Sequence, residues 1–267
     1  MFTSFLLYCL QMIGLTLGVI VICGLAVRLF SRAFAHISGT GSGDIFDITS
    51  LIGTPVHELG HALMCLLFGH KIKRIQLWSP THTNGVYGFV EHSYNRKNPW
   101  ARLGSLFIGV GPIFSGLAVT ILALYFCFPT QWSNYLASSR QLLVGAPSLE
   151  QILIEIGSLL WSMLTGFSES WWRSLIGILI ILSVSLHITL SWQDIKSAVG
   201  ALPIYLLLIL GFCAITSAIG ISKAVISTLA LWNLYAASLF CIVIAFSAVW
   251  VALAVLLKCI RIFISWF

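Results

Sequence analysis

The chain has 267 residues, 59% of them hydrophobic and 8% charged, with a mean hydropathy of +1.00. Soluble domains carry about 25% charged residues. This composition therefore excludes a soluble multi-domain enzyme, a disordered chain and a collagen-like repeat, and it calls for a bilayer as solvent. The net charge of +6 rests on only fourteen Lys and Arg. They cluster between apolar runs, as topology determinants do, and form no basic face for nucleic acid.

Six segments are long and apolar enough to cross a membrane at about 20 residues per crossing. The expected fold is thus an all-α, multi-pass integral membrane protein with about six transmembrane helices. The first segment, 5–28, has no basic region before it and is too long for the apolar core of a cleavable signal. The second, 47–69, leads into a loop, 70–102, that holds Lys71, Lys73, Arg74, Arg96, Lys97 and Arg102 against Glu91 alone. Within that loop the runs 75–78 and 86–90 are β-like and flank Ser79-Pro80 and Asn84-Gly85, the pattern of a hairpin. A strand edge there could pair with an extended peptide.

The third segment, 103–128, carries Gly104, Gly109, Gly111-Pro112 and Gly116. Such small residues let helices approach closely, and Pro112 frees a backbone carbonyl that needs a partner. Segment 149–167 holds Glu150, Glu155 and Trp161 and reads equally as a span or an interfacial helix. Spans at 171–192, 199–220 and 229–257 complete the count. The cationic loop 70–102 should be cytoplasmic, which puts both termini inside. Trp78, Trp100, Trp132, Trp171 and Trp172 near span ends fit an interfacial aromatic belt. The compact multi-pass plan suggests a prokaryotic plasma membrane. Three regions follow: 1–46 with the first helix, 47–197 as the core, and 198–267 with two C-terminal helices.

The second span contains His57-Glu58-Leu59-Gly60-His61, an H-E-x-x-H motif. On a helix, positions i and i+4 share a face, so His57 and His61 can hold one zinc ion, with Glu58 beside them to accept a proton from water. Seven His and five Glu in this length would give the motif by chance roughly once in several hundred chains. Ionisable side chains in a membrane segment also require partners. The competing reading is a structural His/Glu cluster. Thr54-Pro55 is either a helix start or a kink in a longer span.

A catalytic zinc site needs a third protein ligand. Asp194, at the end of the fourth span, is the only carboxylate between Glu169 and the C-terminus and is the favoured ligand. His187, seven residues earlier, is a supporting partner or the alternative ligand. His36, His70, His82 and His92 fall in loops and read as solvated; His92 reaches the site only if the hairpin is re-entrant. The seven cysteines are odd in number, lack a C-x-x-C pair and lie in or beside apolar segments, so they read as small apolar residues rather than as thiolate ligands.

The H-E-x-x-H in a span, the hairpin-like loop, Gly111-Pro112 and the late Asp194 together resemble the site-2 protease family of intramembrane zinc metallopeptidases. The resemblance covers about 50–116 and 187–197. It implies Zn2+ at His57, His61 and Asp194, with Glu58 activating water, and as substrate a membrane protein or membrane-anchored peptide in the lipid bilayer. The family's aspartate usually precedes glycine, whereas Asp194 precedes Ile195; the family also often has an asparagine shortly after Gly-Pro, where this chain reads Ile113-Phe114-Ser115-Gly116. The alternative functions are a non-catalytic zinc-binding membrane protein and a divalent-metal transporter. A transporter would spread polar sites across the bilayer, whereas here they gather at one depth.

Overall fold

The computed structural model describes residues 2–38, 42–80, 87–144, 148–166 and 170–264. His82 and the Asn84-Gly85 turn lie outside them. Ten α-helices and one antiparallel pair of strands are described. In chain order these are α1 (Phe2–Ile13), a π-helical turn (Gly14–Gly18), α2 (Val19–Ser38), α3 (Ser42–Leu67), β1 (Lys71–Gln76), β2 (Phe89–Ser93) and α4 (Pro99–Cys127). Then follow α5 (Pro129–Val144), α6 (Leu149–Thr165), α7 (Trp171–His187), α8 (Trp192–Val199), α9 (Leu202–Ala218) and α10 (Ser222–Ile264).

Length and apolarity qualify three stretches for a crossing, Thr3–Ser38, Pro99–Cys127 and Ser222–Ile264. The bent pair α7 and α8 would add a fourth, so among the described residues the helices suit a membrane protein, with three or four rather than six passing on length and apolarity alone. The shortfall has local causes. Helix α3 mixes Asp44, Asp47, His57, Glu58 and His61 into its apolar run, α7 stops at His187, and α9 has only 17 residues. Helix α5 occupies a stretch between apolar segments where hydropathy marks no span. Residues 149–165 are helical.

The fourth expected span is broken. Helix α7 ends at His187, residues 188–191 are unwound, and α8 sets off at 60° to it. His187 and Asp194 thus do not share one continuous helix face. Unwound backbone inside a membrane protein needs internal hydrogen-bond partners, and α2 supplies one in the break and one at the last turn of α7. The Arg28 guanidinium donates to the Leu190 carbonyl, and Ser31 Oγ donates to the Leu186 carbonyl at 2.9 Å. A core of Val27, Val110, Ile113, Val184, Ile188, Leu190, Phe240 and Val243 packs α2, α4, α7, α10 and the break together.

Thr54-Pro55 lies inside α3, so the helix start considered for it is not realised. Helices α3 and α4 cross at a pair of glycines. A Cβ on Gly60 would stand 2.5 Å from Ser115 Oγ and 2.6 Å from the Gly111 carbonyl oxygen. Without a hydrophobic drive between helices in lipid, such small-residue packing is what brings them together. Ser115 Oγ adds a hydrogen bond to the Val56 carbonyl at 2.7 Å.

The strands form an antiparallel hairpin whose ladder pairs Lys71 with Ser93 and Gln76 with Phe89, with an irregularity between Ile72 and Arg74. The pairing begins earlier in the loop than the expected 75–78 and 86–90 runs, because the turn ending α3 feeds straight into β1. The hairpin folds back along α3. Trp78 Nε1 donates to Ser50 Oγ at 2.8 Å, and Tyr87 Oη donates to Asp47 Oδ1 at 2.7 Å. Burial first, and then the Asp47 carboxylate, push the Tyr87 phenol up to about 12, so it remains a donor across the neutral range.

The glycine crossing gives a direct test. Gly60→Val should destabilise the protein by at least about 1–3 kcal/mol, because the clash is with backbone that cannot yield. A lower thermal midpoint in detergent is the expected result. A variant as stable as the wild type would show that the helices do not meet there.

Candidate metal centre

His57 and His61 project from one face of α3, and each ring is held by a backbone carbonyl at a helix interruption or end, that of His187 also accepting from Thr189 N at 2.8 Å. Pro112 has no N–H to give to the carbonyl of Ile108, four residues before it. That carbonyl accepts from His61 Nδ1 at 2.7 Å. His187 is the last residue of α7, where carbonyls lack helical donors. Its carbonyl accepts from His57 Nδ1 at 2.7 Å. A carbonyl only accepts, so each Nδ1 carries the proton and each Nε2 of a neutral ring presents a lone pair.

Those lone pairs converge. His57 Nε2 and His61 Nε2 are 3.2 Å apart, and Asp194 Oδ1 is 3.4 Å from His61 Nε2. All three ligand atoms lie within 4.8 Å of one another. Nitrogens about 2.0–2.1 Å from a tetrahedral ion stand about 3.3–3.4 Å apart, which these spacings match. With both rings neutral no hydrogen-bond donor sits among the three atoms, and the group is geometrically able to hold a metal ion. Two imidazoles and a carboxylate are a donor set that suits several first-row divalent metals.

Asp194 is aimed by its own helix start. Ser191 caps α8, its Oγ accepting from Asp194 N at 3.0 Å, while Asp194 Oδ2 accepts from Ser191 N at 2.8 Å. This reciprocal capping box ties up one carboxylate oxygen and leaves Oδ1 for the histidines. Gly109 of α4 lets α8 approach; a Cβ there would be 2.7 Å from the Asp194 carbonyl oxygen.

Glu58 is buried, 7% exposed, and lines a cavity of about 470 Å³ with His57, Thr54, Gly88, His187 and Ser191. Gly88, just before β2, lies against Glu58; a Cβ on it would be 2.9 Å from Glu58 Cγ. The hairpin therefore borders the cavity on the Glu58 side.

His187, considered as an alternative ligand, turns its ring away from the converging atoms. Its Nε2 is 3.1 Å from Thr49 Oγ1, and its ring meets Phe46 edge-on. Gly53 makes room for that ring, since a Cβ there would fall 2.3 Å from His187 Cδ2. His187 thus supports His57 through its backbone carbonyl.

Two histidines expected to be solvated are not. His70 is 4% exposed and His92 is half-buried; with fully buried Cys65 they form a second group of metal-ligand side chains. The cause is the end of α3. Gly69 adopts φ +70° and closes a Schellman turn, with His70 N donating to the Cys65 carbonyl at 2.8 Å and Gly69 N donating to the Leu66 carbonyl at 3.3 Å. The turn folds His70 back beside Cys65. The readable signal was Cys65-x4-His70 with glycine before the histidine. His36 is exposed and belongs to the last turn of α2 rather than to a loop.

No family model, no curated protein and no solved structure matches this chain.

If the Ile108 carbonyl orients His61, restoring an N–H at residue 112 should weaken the site. Pro112→Ala is expected to lower metal affinity by about 10–100-fold, the usual effect of losing a ligand's supporting hydrogen bond. Chelator competition on purified protein measures it, and unchanged affinity would remove Pro112 from this role.

Proposed function

We propose that this chain is an intramembrane zinc-dependent endopeptidase that hydrolyses peptide bonds of membrane-embedded or membrane-anchored substrates, in the manner of the site-2 proteases it resembles. The observation that carries the reading is the donor-free convergence of His57 Nε2, His61 Nε2 and Asp194 Oδ1, with Glu58 buried on the adjoining cavity wall. Zinc held by these residues supplies a Lewis acid that makes water nucleophilic near neutral pH and polarises a carbonyl. Glu58 is the proton carrier, accepting a proton from the attacking water and delivering it to the departing amine. His57, His61 and Asp194 are binding residues, fixed respectively by the His187 carbonyl, the Ile108 carbonyl and the Ser191 cap.

Substrate delivery follows from the same physics. A transmembrane helix has every backbone group satisfied, so a scissile bond becomes accessible only when the helix unwinds. The hairpin reaches Glu58 through Gly88, and as a two-stranded sheet it has an outer edge on each strand to which an extended segment could add. In this reading the cationic loop lies on the cytoplasmic side, six segments are embedded, and both termini face the cytoplasm.

Glu58→Gln separates chemistry from binding. The variant should retain its metal and lose cleavage of a model membrane-helix substrate in proteoliposomes by at least about 100-fold. Turnover at the wild-type rate would refute the assigned proton carrier. Metal-dependent zinc uptake that Glu58→Gln leaves intact would favour a transporter instead.

A further inference from the structure

We propose that Cys65, His70 and His92 bind a second zinc ion, distinct from the one proposed at His57, His61 and Asp194. The three side chains come from the end of α3, the turn after it and strand β2. Their ligand atoms lie within 4.8 Å of one another, and Cys65 has no solvent exposure. His70 Nδ1 and His92 Nδ1 face each other at 3.0 Å, a few tenths of an ångström inside the spacing that a tetrahedral ion sets.

A second observation points to a ligand. His70 Nε2 donates to the Ala101 carbonyl at 2.7 Å. This repeats what α4 does for His61. A backbone carbonyl takes the N–H of one ring nitrogen and leaves the other with a lone pair turned toward neighbouring donor atoms, the supporting arrangement typical of metal-bound histidine. The Tyr94 ring stacks on His70 with centroids 4.4 Å apart and limits its rotation. A hydrogen bond between the two imidazoles accounts for their distance but not for a thiol beside both.

A thiolate with two imidazoles is a donor set suited to zinc, with a fourth position left for water. Binding would release the Cys65 thiol proton to solvent as the sulfur–metal bond forms. The ion would bridge α3 to β2, opposite Ile72 in the ladder, and so hold the hairpin where Gly88 meets Glu58. The proposal does not depend on proteolytic activity, because both sites are counted by metal content.

The test uses the full chain in detergent, stripped of metal and titrated with Co2+ or Zn2+. Wild type should bind two equivalents, and the Co2+ form should show a near-ultraviolet thiolate-to-metal charge-transfer band. His57→Ala/His61→Ala should retain one equivalent together with that band. Cys65→Ser and His92→Ala should each retain one equivalent and lose the band. The proposal is overturned if the His57→Ala/His61→Ala protein binds no metal, or if the band survives Cys65→Ser. Should Cys65→Ser misfold and lose both equivalents, the His57→Ala/His61→Ala arm still decides, since its band can come only from a thiolate outside the first site.

Discussion

One missing hydrogen atom organises the centre of this protein. Pro112 cannot donate to the Ile108 carbonyl, and the vacated acceptor fixes the tautomer and direction of His61. The same logic recurs at His57, whose partner is the terminal carbonyl of α7, and at Asp194, whose second oxygen is consumed by the start of α8. Each converging atom is therefore aimed by a place where a helix is interrupted or ends. The interruptions that would weaken an ordinary bundle are the positioning devices of this one.

Close approach makes the devices work together. The Gly60–Gly111 contact sets α3 against α4, Gly109 admits α8, and Gly53 admits the His187 ring. Two helix pairs distant in sequence, α3 with α4 and α7 with α8, thereby meet within hydrogen-bonding reach. The break after α7 is affordable because Arg28 and Ser31 of α2 take up its loose carbonyls. The fold is thus a frame in which polar backbone, exposed at breaks, is reused rather than hidden.

Much of this was legible in the sequence, and the exceptions have identifiable causes. The H-E-x-x-H helix and the hairpin follow from short-range pattern, and Asp194 was singled out because carboxylates are scarce after Glu169. The course of the chain between His187 and Asp194 was not legible. Ile188-Thr189-Leu190 holds neither glycine nor proline and no charge, so hydropathy reads continuity where the backbone breaks. A cationic loop suggests solvated histidines, whereas Gly69 turns the chain back against α3 and buries His70, and the hairpin that carries His92 lies along the helix. The carbonyl freed by Pro112 was foreseeable; that a histidine on another helix would use it was not, since the partner is fixed by the glycine crossing. The number of crossings is the least legible feature, because residues that build the centre lower the apolarity of α3.

Helix α10 carries a further consequence. Its 43 residues make a rod of about 64 Å, roughly twice the thickness of a bilayer's hydrocarbon layer. Such a rod fits only by leaning or by protruding, and α10 shares a core with α2, α4 and α7. Acyl-chain length would then bear on how α10 leans against that core.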